Sequence, residues 1–218
     1  MTPGRLLFTA VYLLFWPALM LSLAGDWRWL PGWIVGGWFV LVGVSTMGWL
    51  ARKDPELLEE RFRMPGTGGQ SRRDQIMIAL VTVGFVAWIV LMPLDVRRFH
   101  WTPPLPLAVG VAGVACLVVS WLFVFRALAD NPFGSALVRV QRERGHRVIT
   151  TGVYGWVRHP MYLGATLMFV GGPLVARSLA ALAVGLALVM LLAVRSLDEE
   201  ALLTRELTGY EEYRRRVR

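Results

Sequence analysis

The chain has a single cysteine, Cys116, among 218 residues. That excludes a disulfide framework and every multi-cysteine metal or redox motif. Lysine is almost missing as well: Lys53 is the one lysine, and every other basic residue is arginine. Histidine is scarce, and His100, His146 and His159 show no ligand spacing, so no metal is expected. No strand–G-x-G-x-x-G–helix pattern signals a dinucleotide fold. Charge itself is sparse, at 17% of residues, where a soluble domain carries roughly a quarter. What fills the space is apolar: 56% of the chain, with a mean hydropathy of +0.52. The composition predicts an all-α integral membrane protein.

A span needs about 20 predominantly apolar residues. Leu6–Ala24, Leu30–Ala51, Ile76–Leu94 and Leu105–Leu128 meet that need. The first runs long and lacks a small-residue cleavage site, so it reads as a span and not as a signal peptide. Met161–Ala176 and Leu179–Val194 are shorter and separated only by Arg177-Ser178, which predicts a tight helical hairpin. About six transmembrane segments result. The expected organisation is four helices in 1–128, with a connection at 52–73, then a functional core at 129–218. That core divides into a loop (129–160), the hairpin (161–194) and a C-terminal surface helix (195–218).

Arginine and lysine gather in alternate connections. Arg52, Lys53, Arg61, Arg63, Arg72 and Arg73 follow the second span. Arg139, Arg142, Arg144, Arg147 and Arg158 follow the fourth. Arg195, Arg205, Arg214, Arg215, Arg216 and Arg218 close the chain. The other side carries only Arg28, Arg97, Arg98 and Arg177. The positive-inside rule then puts both termini on the cytoplasmic side of the membrane. The net charge of +8 belongs to these head-group anchors, and no recognition module directs it at nucleic acid. Trp27, Trp29, Trp33, Trp88 and Trp101 read as an interfacial aromatic belt. Cys116 lies mid-span among apolar neighbours, as an inert buried thiol. Residues 54–62 form either an amphipathic surface helix, with Leu57, Leu58 and Phe62 on its apolar side, or a solvated loop.

Polar chemistry concentrates after residue 129. Asp130–Tyr162 is too polar to span and too long for a plain linker. Gly145, Gly152 and Gly155 permit close turns, and Val148-Ile149-Thr150-Thr151 is β-branched and reads as extended. Arg158-His159-Pro160 immediately precedes an apolar helix, with proline at the favoured first position. Free N–H groups and the positive helix end near Arg158 and His159 suit a carboxylate. Tyr162 and Gly164 follow on the same helix. Further on, Asp198-Glu199-Glu200 beside a bilayer calls for pairing or a cation, and Arg195–Glu199 has the spacing of a pair along one helix.

The segment Gly152–Gly164, G-V-Y-G-W-V-R-H-P-M-Y-L-G, resembles the hallmark of the isoprenylcysteine carboxyl methyltransferase family, to which phospholipid methyltransferases are more loosely similar. Glu199–Tyr213 resembles the second signature of its bacterial branch, with Thr208 where proline is frequent. Val138-Arg139-Val140-Gln141 and Gly145–Thr151 match as well, so the resemblance spans residues 126 to 217. It implies transfer of a methyl group from S-adenosylmethionine to a lipophilic or small-molecule acceptor delivered by the bilayer, at a cytoplasmic-side pocket built from both signatures. On that resemblance Arg158 and the helix start hold the donor's carboxylate, and Glu199 or Glu200 its ammonium. His159, Tyr162 and the backbone of Val148, Ile149 and Thr150 frame the adenosine. Gln141, His146, Gly152, Tyr154, Pro160 and Gly164 complete the donor-binding set. His159, Tyr162 and Glu200 are the catalytic candidates, and Arg126, Asn131 and Tyr213 the acceptor-side ones. An amine or hydroxyl acceptor would need a base, for which His159, His146 and Tyr213 are candidates. An NADPH-dependent sterol or enone reductase is the alternative, because such membrane enzymes are similar around R-H-P-x-Y.

Overall fold

Proline and short polar side chains set where the helices begin. Pro31, Pro55 and Pro160 occupy first-turn positions, where a missing N–H costs nothing. Asp54, Ser71 and Ser178 cap their helices by accepting hydrogen bonds from the backbone of Leu57, Asp74 and Ala181. The computed structural model describes residues 3–63, 65, 66 and 70–217, and no strand occurs among them; Arg218 lies outside the described residues.

The helices are α1 (Pro3–Ala24), α2 (Leu30–Lys53), α3 (Pro55–Arg61), α4 (Arg72–Pro93), α5 (Leu107–Asp130), α6 (Pro160–Ala176), α7 (Leu179–Glu206) and α8 (Tyr210–Arg216). A π-helical turn, Leu94–Phe99, prolongs α4. Five helices are long and apolar enough to cross a membrane: α1, α2, α4 with its π-turn, α5 and α7. At 17 residues α6 falls short of the others. Large apolar side chains such as Phe8, Val83, Val111 and Met190 point outward, as lipid contact requires and water would not favour. Two boundaries differ from the sequence expectation. The helix after Ser178 does not stop at Val194 but continues unbroken to Glu206, so Glu199 and Glu200 ride on the same rigid rod as the membrane-facing residues. The short surface helix begins only at Tyr210, where Gly209 turns the chain with φ +85°.

The core lies where α1, α2, α4, α5, α6 and α7 meet. Trp88 sits there fully buried, its indole donating to Phe169 O at 3.0 Å. It is a core residue and not part of an aromatic belt; Trp29 is buried as well, while Trp27, Trp33 and Trp101 are exposed. Hydropathy cannot separate these roles, since a tryptophan with its N–H satisfied fits either place. At the arginine-poor end Asp95 is completely buried. It accepts from Thr102 N and Oγ1, Ser178 Oγ and Ala180 N, pinning the α6–α7 turn to the end of α4.

Helix α6 packs most extensively on α5. A Cβ at Gly113 would come within 2.5 Å of Val175 N and 2.7 Å of Gly171 O. Both obstacles are backbone, so neither can swing away. Gly113→Val is therefore expected to lower the melting temperature of the purified chain, at the upper end of the about 1–3 kcal/mol that overpacking costs. A melt indistinguishable from the parent would show that α5 and α6 have room to separate.

All three arginine-rich regions meet at one end of the bundle. Arg73 pairs with Asp198 at 2.8 Å, Arg142 with Glu206 at 3.4 Å and Arg158 with Glu200 at 3.1 Å, so the two connections and the C-terminal rod are laced together. Arg97, Arg98 and Arg177 sit at the opposite end, on Asp26, Leu23 O and Leu105 O.

Candidate functional site

The arginine-rich end holds a cavity of about 280 Å³, close to the lower limit of ordinary small-molecule pockets, roughly 300 Å³. Its walls come from α3, the segment between α5 and α6, the start of α6, the distal part of α7, and α8.

Between α5 and α6 the chain has almost no regular structure, so side chains do the holding. Asp130 accepts from Val153 N at 2.9 Å and pairs with Arg126 at 2.8 Å. Gly152, at φ +60°, makes that turn possible. Gln141 is fully buried and spans the loop, donating to Phe133 O and accepting from Arg144. Two buried ion pairs tie the segment to distant helices. Arg139 forks onto Glu60 of α3, with both nitrogen–oxygen distances 2.9 Å. Arg195 of α7 bonds Asp74 of α4 at 2.7 Å and the Ala136 carbonyl at 2.7 Å. The helical spacing had suggested Arg195–Glu199; the buried Asp74, unable to find water, takes the guanidinium instead.

Glu199 is left for Tyr162, whose hydroxyl donates to Oε2 at 2.7 Å. One turn position away, Glu200 Oε1 lies 2.9 Å from His159 Nε2 and 3.1 Å from Arg158 Nε. The Arg158 contact is close but out of hydrogen-bond alignment, so its Nε remains a buried donor without a bond. Arg158 spends another nitrogen on Arg214 O of α8, at 3.2 Å. Tyr213 of α8 donates to Tyr154 O at 2.7 Å, and Tyr210 is buried beside it with an unbonded hydroxyl. Burial raises the phenols of Tyr154, Tyr210 and Tyr213, the last to about 12, so all three are neutral donors at physiological pH. Among the described residues nothing bonds Glu199 Oε1 or Glu200 Oε2. The cavity and the residues just behind it thus hold two donors without bonds, Arg158 Nε and the Tyr210 hydroxyl, and two free carboxylate oxygens.

His146 lines the cavity, stacked on Phe133 with ring centroids 4.5 Å apart. Its Nδ1 accepts the Gln141 N–H at 3.2 Å, a role only an unprotonated nitrogen can play. Burial, reinforced by Arg139 and Arg144, pushes the imidazole down to about 4. Between pH 6.5 and about 4 the unfolded chain binds a proton that the folded chain refuses. Stability is therefore expected to fall as pH drops through that window and to level off below it. Melting curves from pH 7.5 to 4 check this: His146→Gln should show a shallower decline, and an unchanged slope would dissociate His146 from it.

Of the residues singled out from sequence, Asn131, His146, Val148, Ile149, Tyr154, Arg158, His159, Pro160, Tyr162, Glu199 and Tyr213 line the cavity. Glu200 stands just behind Arg158 and His159. Others do not reach it. Thr150 is exposed, Gln141 and Gly152 shape the loop, and Gly164 packs against Val124 and accepts at its carbonyl from Ser120. Arg126 is spent on Asp130 with its side chain 52% exposed. Arg61, Phe133, Leu137, Arg195 and Tyr210 line the cavity without having been selected. Tyr210 carried a signal within the second signature and Arg195 one as the expected partner of Glu199; Arg61 is separated from the rest by two spans.

Residues 108–208, a little under half of the chain, match the family of phospholipid methyltransferases. The match runs from the first turn of α5 to just beyond α7, and so contains both clusters that meet at the cavity. It relates the chain at family level to membrane methyltransferases. No curated protein matches the chain. Among the described residues no group of three or more His, Cys, Asp or Glu could hold a metal ion.

Proposed function

We propose that this chain is an S-adenosylmethionine-dependent methyltransferase of the membrane, acting on an acceptor that reaches the cavity from the bilayer. The observation carrying the proposal is the seating of Glu199 of α7 against Tyr162 on the wall of one cavity, with Glu200 directly behind the lining residues Arg158 and His159. The methyltransferase match over 108–208 supports it.

The donor set fits that cofactor on both counts of charge. The unbonded Arg158 Nε and Tyr210 hydroxyl suit an α-carboxylate, and the spare oxygens of Glu199 and Glu200 suit an α-ammonium. When bound, S-adenosylmethionine supplies a methyl carbon that an acceptor's lone pair takes in line as the carbon–sulfur bond breaks. The chain's own part is positioning and exclusion of water. Tyr162 holds the Glu199 carboxylate in one orientation, and His159 does the same for Glu200. Helix α8, bonded to Arg158 and Tyr154, shields the cavity from solvent. Should the acceptor be an amine or hydroxyl, His159 is the group placed to take its proton.

In this reading α6 is a sixth pass, since 17 residues rise roughly 25 Å at 1.5 Å each and α6 pairs along its length with α5 and α7. The arginine-rich end, with the cavity and both termini, then faces the cytoplasm.

Incubating the purified chain with methyl-labelled S-adenosylmethionine and a total lipid and metabolite extract tests the activity. Label should appear in an extractable product, and its absence would count against transfer. Calorimetric titration should show binding of S-adenosylhomocysteine and none of NADPH; the reverse would make the chain a reductase.

A further inference from the structure

We propose that Arg61, on α3 and outside the segment matched to the methyltransferase family, is an oxyanion-binding residue for the acceptor. The inference rests on the methyltransferase reading for the word acceptor, but the anion site stands on its own observations.

Four of the five arginines around the cavity can be placed by their partners or position. Arg139 is neutralised by Glu60, Arg195 by Asp74 and Arg158 by Glu200, while Arg147 is exposed toward solvent. Arg61 differs. It lines the cavity from α3, outside the segment matched to the methyltransferase family. Its contacts are one long hydrogen bond to Gly134 O at 3.4 Å and one to Met161 Sδ at 3.6 Å, both from a single nitrogen. Among the described residues it has no carboxylate partner. The side chain is half-buried, and desolvation, with Arg195 nearby, pulls the guanidinium below its ordinary value. It has no anion to meet its planar fork, which matches phosphate or carboxylate oxygens two at a time.

The surroundings say what else the ligand carries. A second crevice, of about 310 Å³, is lined by Ile78, Val81 and Thr82 of α4 and by Pro65 and Arg63, the latter paired with Glu60. It shares Ala136, Leu137 and Arg195 with the main cavity. An apolar tail can lie along α4 there while its charged end reaches Arg61. The proposed donor groups, Glu199, Arg158 and Tyr210, come from α7, α8 and the start of α6. The cavity thus has an oxyanion position and a cationic-nucleoside position on different elements. Arg61 follows Leu57 and Leu58 by four and three residues and so shares the inward face of α3 that packs on Leu50 and Leu128, which turns the guanidinium toward the cavity.

Calorimetry on the full-length chain in neutral detergent tests this. Dioctanoyl phosphatidate, dioctanoylglycerol and inorganic phosphate serve as probes against the parent, Arg61→Gln, Arg61→Lys and the outward-facing Arg52→Gln. The parent should bind the phosphatidate and not the uncharged glyceride. Arg61→Gln should weaken phosphatidate binding by about tenfold or more, Arg61→Lys less, and Arg52→Gln not at all. S-adenosylhomocysteine affinity should stay within about twofold in Arg61→Gln, which also reports an intact fold. Equal phosphatidate binding by Arg61→Gln and the parent would overturn the proposal, as would equal losses in Arg61→Gln and Arg52→Gln. Inorganic phosphate binding as tightly as phosphatidate would remove the tail from it. If S-adenosylhomocysteine fails to bind the parent while phosphatidate binding still depends on Arg61, the methyl-donor reading falls and the oxyanion site stands.

Discussion

Glu200→Gln is expected to weaken S-adenosylhomocysteine binding roughly 10- to 150-fold, the equivalent of the about 1.5–3 kcal/mol carried by a hydrogen bond to a charged group. Two effects oppose each other in this variant. The amide loses the charge proposed to meet the ligand's ammonium. It also releases Arg158, 3.1 Å away, to bind the ligand's carboxylate more freely. The second effect is the smaller. Arg158 Nε is out of hydrogen-bond alignment with Glu200, so the pair lacks the aligned, charge-assisted bond that makes such contacts strong. Loss of affinity should therefore win. Titration of the variant beside Glu199→Gln measures it. Affinities within about threefold of the parent in both variants would remove the two carboxylates from the donor site.

Glu60→Gln is expected to cost about 3–5 kcal/mol of stability, because it strips the charge from one half of a buried pair and leaves the other half enclosed. Arg139 is 7% exposed and Glu60 2%. Burial alone would raise the Glu60 carboxyl; hydrogen bonds from Arg139 and Ser135 outweigh it and hold the group below the usual range. The bond to Glu60, joined by one to Glu143, raises the Arg139 guanidinium. Glu143 also meets Arg139, at 2.6 Å, but from an exposed position that compensates little. A loss of this size lowers the melting temperature by roughly 6–20 °C in a chain this long. Because Phe133 to Arg139 forms one wall of the cavity, S-adenosylhomocysteine affinity should fall alongside. Replacing both partners, Glu60→Met with Arg139→Met, should recover much of the melt by removing the uncompensated charge. A single variant that melts within about 2 °C of the parent would show that water reaches Arg139.

How legible the molecule was depends on distance along the chain. Helix starts at Pro31, Pro55 and Pro160 announce themselves locally, and so does the amphipathic α3, with Leu57 and Leu58 inward. Trp88 does not: an indole in an apolar run satisfies interface and core equally, and only its bond to Phe169 O decides. Arg195 showed the same weakness, since a partner four residues on was visible and a buried aspartate in another helix was not. Arg126 is the opposite case, since its partner Asp130 lies within one helical turn and was there to be read.

For the site, the charge clusters at Arg158-His159 and at Glu199-Glu200 were readable, because charge beside an apolar run needs an explanation within the segment itself; that the two clusters are neighbours followed only from the resemblance to a family. Arg61 and Asp74 were invisible, being ordinary members of a basic loop and a helix start. Apolar runs, proline positions and the side on which arginine gathers determined that this chain is a helical bundle with one polar, arginine-rich end. Each of those signals is a free energy that a residue carries on its own or with its nearest neighbours. Which carboxylate takes which guanidinium, and which guanidinium is left facing a cavity, was decided only by tertiary structure, because the cost of enclosing a charge depends on partners that the folded chain alone brings within reach.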